Sequence, residues 1–199
     1  MARLFDHPIK RKARYEAEYA GRKVLDVACG CVKFKGATGL DYNVRSYMPA
    51  ELQANVTYDL TQFPYPFEEN SFDMIWCFHF LEHFQDLPKI MDEFYRLLKP
   101  GGKLIINTPH FSSVEAYRHW QHCHFFARGS FDYFCEDSHE WEFYNCRFKL
   151  TDSKIFFDDL STALGISLVA NAFSWQFERR LSWIFPASSV YFELQAIKD

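Results

Sequence analysis

Two aspartates, Asp26 and Asp41, bracket the small residues Ala28-Cys29-Gly30 in the stretch VLDVACGCVKFKGATGLDYN. A carboxylate at the end of an apolar strand, followed by a glycine that lets the backbone approach a ligand closely, suits a nucleotide-type cofactor. Asp41, with Tyr42 beside it, can accept hydrogen bonds from both hydroxyls of a ribose. Asp59 can accept one from an exocyclic adenine amine, with the Leu60 backbone on the ring edge. Phe78, followed by His79, can pack on the adenine face. A single glycine-rich turn is weak evidence; several strand ends in order, carrying the right residue types, are stronger. The competing reading is that these carboxylates only cap strands and turns.

The elements that would position these residues follow from hydrophobic periodicity. Residues 8–20 have a helical pattern, with Pro8 in the first turn and Gly21 ending it. Short apolar runs at 23–27, 37–41, 55–60 and 72–80 predict strands. The prolines of FPYPFEENSF make 63–72 a loop. In LPKIMDEFYRLLK, Ile90, Phe94, Leu97 and Leu98 share one face of a helix over 87–99, which Pro100-Gly101-Gly102 should stop before a strand at 103–109. Residues 149–158 are strand-like, 171–185 helix-like, and 190–198 alternate as a final strand. Alternating strands and helices predict a single α/β domain over residues 1–199, a Rossmann-like, mostly parallel sheet with helices on both faces and an antiparallel last strand. Ligands of such sheets sit at the carboxyl ends of the strands, near the topological switch point. An aromatic and histidine-rich insertion at about 110–150 interrupts the rhythm and is expected to cover the site.

Composition sets the bounds. The 199 residues are 48% hydrophobic and 19% aromatic, which suits one domain with a sizeable core and excludes disorder. The net charge is −4, divided between a basic first 23 residues of about +4 and an acidic remainder of about −8. That balance argues against broad nucleic-acid binding. Six cysteines without CxxC spacing are expected to be reduced thiols of an intracellular, cytoplasmic protein. The amino terminus lacks the apolar core of a secretory leader, and no run of 18 residues is continuously apolar, so no membrane span is expected.

The pieces LDVACG, GLDYN, YDL, SFDMIWCFHFLEHF, RLLKPGGKLIINTP and the closing VYFELQAIK together resemble the class I S-adenosylmethionine-dependent methyltransferases, in particular the small-molecule type 11 group. CGCVKFKGATGLD resembles a subgroup with a shortened first helix. The resemblance implies S-adenosylmethionine as cofactor and methyl transfer to a small-molecule or glycan-like acceptor. It also implies that the amino-acid end of the cofactor lies near Asp26 and the backbone of Ala28, Cys29 and Gly30. The family's first motif glycine is replaced here by Ala28. A nicotinamide-dependent oxidoreductase and a non-catalytic S-adenosylmethionine-binding protein are the other classes considered.

Methyl transfer is an in-line displacement in which positioning supplies much of the catalysis, and a hydroxyl acceptor usually needs a base. HFLEHF spaces His79, Glu82 and His83 for one helical face. His110 ends the fifth strand, and His119, His122 and His124 follow in the insertion. His83, His110 and His122 are the catalytic candidates. Glu82 and His83, with His110 or His122, could instead hold a divalent ion; the preferred reading has the Glu-His pair shaping the pocket, and no metal ligand is assigned. The run Phe173, Phe177, Leu181, Ile184, with Trp175 and Trp183, is expected to pack in the core or in a homodimer contact.

Overall fold

The computed structural model describes residues 8–43, 47, 49–136, 138 and 144–198, with side chains from residue 11 onward. Residues 1–7, and 137 and 139–143 of the expected insertion, lie outside the described residues. Seven strands form one sheet in the order β3-β2-β1-β4-β5-β7-β6. The strands are β1 (Val24–Val27), β2 (Thr38–Asp41), β3 (Val56–Thr57), β4 (Phe72–Phe78), β5 (Leu98–Pro109), β6 (Phe148–Phe156) and β7 (Ser189–Ala196). Pairings among β1 to β5 are parallel, and β7 runs antiparallel between β5 and β6. The expected sheet, with its antiparallel last strand, is the observed one. Strand order reverses at β1, with β2 on one side and β4 on the other, so the switch point lies between β1 and β4.

Side-chain alternation gives the sheet two covered faces. Leu25, Val27, Ile75, Cys77, Leu104 and Ile106 point to one, where Ile90, Met91, Phe94 and Leu97 of helix α2 (Leu87–Leu97) cover them. Asp86 caps α2 by accepting from the Lys89 N–H at 3.2 Å. Val24, Met74, Trp76 and Ile105 point to the other face, beneath Tyr15 of α1 (Pro8–Glu18) and Tyr19 just after it. Phe34, from the loop between β1 and β2, packs on Trp76 at 5.1 Å between ring centres, with the planes tilted by 53°. No helix joins β1 to β2 among the described residues; α1 covers that face instead.

Three boundaries differ from the sequence reading. The third strand is two residues, not six, because Asp59 and Thr61 close a turn directly after it. The helix over 87–97 gives way at Leu98 to a strand that runs through Pro100-Gly101-Gly102 rather than starting at 103, since buried Leu98 pairs with Phe72. The single helix expected over 171–185 is two, α5 (Ile166–Ala172) and α6 (Ser174–Arg180), preceded by α4 (Asp159–Ala163). The break follows from Asn171, whose side chain accepts from the Ile155 N–H and donates to the Ile155 carbonyl, at 2.9 and 2.8 Å. The amide thereby satisfies the open edge of β6. Of the apolar stripe in this region only Phe177 enters the core; Phe173, Trp175, Trp183 and Ile184 are exposed.

The insertion does two things. Its second half fills the core: Phe131 is fully buried against Phe126, Phe134 and Phe192. Its first half, including α3 (Val114–Arg118), reaches the carboxyl ends of the strands.

Candidate active site

A cavity of about 1050 Å3 opens at the carboxyl ends of β1, β2, β4 and β5, over the switch point. Asp26, Ala28, Cys29 and Gly30 line it from β1 and the turn that follows, and Asp41 and Tyr42 from β2. Trp76, Phe78 and His79 line it from β4, and Asn107 and Pro109 from β5. Opposite them stand His83, Glu115, His119 and Gln121.

Asp26 is nearly fully buried and accepts the Phe34 N–H at 2.6 Å, which anchors the loop between β1 and β2. Burial pushes its pKa up to about 7, against the opposing pull of the Phe34 N–H and of Lys12 and Lys33. Burial likewise pushes the Cys29 thiol up to about 12, so at neutral pH it is a neutral lining group. Asp41 accepts the Gly30 N–H at 2.8 Å and the Asn43 N–H at 3.2 Å, one on each oxygen. This ties the glycine turn to the end of β2 while Asp41 still borders the cavity. Lys12 reaches over from α1 and donates to the carbonyls of Val32 and Lys33 at 2.6 and 3.0 Å. Lys33 is buried and donates to the Gln53 carbonyl at 2.8 Å. Its stem and the Cys29 sulfur lie where a side chain on Gly39 would clash, at 2.7 and 2.9 Å, so β2 needs a glycine there.

The β4 side supplies the apolar wall. Trp76 and Phe78 stack at 4.1 Å between ring centres with planes 20° apart. Ala28 and His79 have φ of 54° and 52°, the left-handed region that non-glycine residues avoid. Each costs roughly 1–3 kcal/mol, and the two stand at the ends of β1 and β4, on either side of the switch point. Asn107 is 3% exposed, and its Nδ2 lies 3.3 Å from His79 Nε2. Its Oδ1 has no partner among the described residues. A buried amide oxygen left unpaired at a cavity wall is where a ligand N–H or O–H belongs.

Eight of the ten cofactor positions predicted from sequence line this cavity: Asp26, Ala28, Cys29, Gly30, Asp41, Tyr42, Phe78 and His79. Asp59 and Leu60 do not. Asp59 accepts from the N–H and hydroxyl of Thr61 at 3.0 and 2.7 Å, and Leu60 is buried with its carbonyl taken by Tyr65. Of the catalytic candidates, His83 lines the cavity and the other two do not. His110 is fully buried. Ser112 N–H donates to its Nδ1 at 3.2 Å, so Nε2 carries the proton and meets Glu178 at 3.1 Å. His122 sits behind His83, 4.5 Å between ring centres. Glu82 is turned inward, accepting from Thr108 at 3.0 Å and lying 3.4 Å from His79. Burial lowers the His83 pKa, and the neighbouring His119 and His122 add to that against the pull of Glu82.

Lys12, Trp76, Asn107 and Glu115 were not among the predicted site residues. Trp76 and Asn107 carried a signal: each alternates in phase with a lining residue of its own strand. Lys12 and Glu115 arrive from elements distant in sequence, and nothing local marks them.

A parallel sheet with a cavity over its switch point, two carboxylates on the β1–β2 side and an aromatic stack on β4, defines a nucleoside-cofactor domain of the Rossmann-like class. Residues 25–106 match a family model described as "Methyltransferase domain", of the type 11 group. The methyltransferase GfsG of Streptomyces halstedii is 36% identical over 104 residues, covering 44% of this chain and 37% of that protein. The ubiquinone biosynthesis O-methyltransferase of Psychrobacter arcticus is 34% identical over 110 residues, covering 47% of this chain and 43% of that protein. In both, the match spans less than half the relative's length. A crystal structure of a SAM-dependent methyltransferase from Archaeoglobus fulgidus superposes with a TM-score of 0.64, at 18% identity, over 93% of this chain and 91% of the other; it speaks for the fold. Residues 25–106 are thus similar to a methyltransferase domain of the type 11 group, and the fold around them is that of class I S-adenosylmethionine-dependent methyltransferases. The cofactor of that class is S-adenosylmethionine, and the cavity fits it: carboxylates for ribose hydroxyls and an ammonium group, an aromatic wall, and an unpaired acceptor at Asn107.

Proposed function

We propose that this chain transfers the methyl group of S-adenosylmethionine to a small-molecule or glycan-like acceptor. When bound in the cavity, the cofactor would supply an electrophilic methyl group, which passes to an acceptor lone pair as the carbon–sulfur bond breaks and S-adenosylhomocysteine leaves. The chain's residues then have separable tasks. Asp41, held by the Gly30 and Asn43 N–H groups, fixes the ribose. The Trp76–Phe78 stack packs against the nucleoside. Asp26 and the Ala28–Gly30 backbone receive the amino-acid end. His83, His119 and Glu115, across the cavity, face the acceptor and are the groups able to take or steer its proton.

The observation that carries this reading is the single cavity in which both sets of groups meet. Ligand pockets of roughly 300–1,000 Å3 hold drug-sized molecules. At about 1050 Å3 this one suits a nucleoside cofactor and a small acceptor together. No helix among the described residues is long and apolar enough to cross a membrane.

The test is a thermal-shift series with S-adenosylhomocysteine, S-adenosylmethionine and NAD, followed by product detection across hydroxyl, amine and thiol acceptors. A ligand at 100 times its dissociation constant adds about 2.7 kcal/mol to stability. Stabilisation by the two sulfur nucleosides and turnover of a small acceptor are expected. Stabilisation by NAD alone would place the chain among the oxidoreductases, and nucleoside binding without turnover would make it a binding protein.

A further inference from the structure

His83, His119 and His122 converge at the cavity rim. One ring nitrogen from each lies within 4.8 Å of the other two. The His119 and His122 rings are stacked 5.1 Å apart, and both meet His83 edge-on, at 5.0 and 4.5 Å. The set is drawn from two elements distant in sequence: His83 from the 3-10 turn after β4, the other two from the loop after α3. It differs from the Glu82-based set weighed on sequence, since Glu82 is committed to Thr108 and His79.

Two features mark it as built for a ligand. His122 Nδ1 lies 3.0 Å from the Ala116 carbonyl, which can only accept, so Nδ1 bears the proton and Nε2 keeps its lone pair. Metal-ligating histidines characteristically carry such an outer hydrogen bond, which fixes the tautomer and the ring orientation. His83 and His119 also line the cavity, so an ion held by the set would border it.

We propose that His83, His119 and His122 bind one divalent ion of the imidazole-preferring class, zinc or its spectroscopic substitute cobalt. Three imidazoles with one open position is the ligand set of a catalytic rather than a structural zinc site. Zinc–nitrogen bonds of about 2.0–2.1 Å require ligand atoms about 3.4 Å apart, so the exposed His119 ring must shift inward and give up its long bond from the Gln121 N–H at 3.4 Å. The ion's task, lowering the pKa of an acceptor hydroxyl, rests on the methyl-transfer reading. Binding of the ion does not, and calorimetry with S-adenosylhomocysteine on the metal-free chain reports on that reading separately.

The experiment is titration of the metal-free, reduced chain with cobalt(II) alone, read by absorption, with zinc competition by calorimetry. One equivalent with visible d–d bands and no near-ultraviolet thiolate charge-transfer band is expected, because the six cysteines are free but outside the set. His119→Ala and His122→Ala should each weaken binding at least 30-fold, with Cys123→Ser unchanged. His119 is exposed, so its variant should melt like the parent without metal. Absence of one-equivalent binding, a thiolate band, or full affinity in His119→Ala overturns the site.

Discussion

The two walls of the cavity are built differently. The β1–β2–β4–β5 wall is pre-tied: Asp26 is held to Phe34, Asp41 to Gly30 and Asn43, and Trp76 is stacked on Phe78. The segment that supplies Glu115, His119 and Gln121 to the opposite wall, residues 111 to 125, is more open: its Val114, Tyr117, Trp120 and Phe125 are exposed, Trp120 at 87%. A rigid wall suits one invariant nucleoside and an open one suits an acceptor that must enter and leave. The same insertion then turns inward, and at Phe126, Phe131 and Phe134 becomes part of the principal core. One segment therefore serves the site with its first half and the fold with its second.

The largest effect should separate those halves. Phe131→Ala removes a fully buried ring packed on Phe192 and is expected to cost about 3–5 kcal/mol in urea unfolding. Trp120→Ala, on the exposed half, should change stability by less than about 0.5 kcal/mol. Similar losses for the two would erase the division.

The rigid wall makes its own prediction through Asp26. With a folded-state pKa of about 7 against an ordinary 3.8, the folded chain keeps a proton that the unfolded chain has lost between those values. Stability attributable to this group therefore falls as pH rises from about 4 to about 7 and is level above that. Asp26→Asn can still accept from Phe34 and should gain roughly 2–4 kcal/mol over the parent at pH 8, and much less at pH 4. It should also weaken donor binding. Urea melts at the two pH values check the first effect; an equal change at both would mean that Asp26 is ionised throughout.

Within the strand tips, Asp41→Ala is expected to weaken S-adenosylhomocysteine binding by about 1.5–3 kcal/mol, through loss of charged-acceptor hydrogen bonds. Asp59→Ala, outside the cavity, should leave the affinity within about 0.5 kcal/mol. The reverse pattern in calorimetry would restore the sequence reading of Asp59. The smallest effect belongs to Asn107. Asn107→Leu removes an unpaired buried oxygen and should raise free-protein stability by about 1 kcal/mol while lowering donor or acceptor affinity. Unchanged affinity for both would take Asn107 out of the site.

Much of the rigid wall was legible because it is local. The apolar runs in FDMIWCFHF and around Asp26 located β4 and β1, and their ends carried the lining residues. Asp59 falls outside the cavity lining because the third strand ends at Thr57 and the side chain turns to Thr61. The opposite wall was legible only in composition. His110 and His122 both follow β5, yet His110 is enclosed by Ser112 and Glu178 while His122 joins His83 across a loop. Spacing along the chain holds no record of that folding-over, nor of Lys12 arriving from α1.

A crystal structure with S-adenosylhomocysteine tests the central claim most directly. The account predicts the ribose on Asp41, the amino-acid end by Asp26 and the Ala28–Gly30 turn, and the sulfur directed toward His83 and His119. A nucleoside bound away from the β1–β4 switch point, or with its sulfur turned from those histidines, would contradict it.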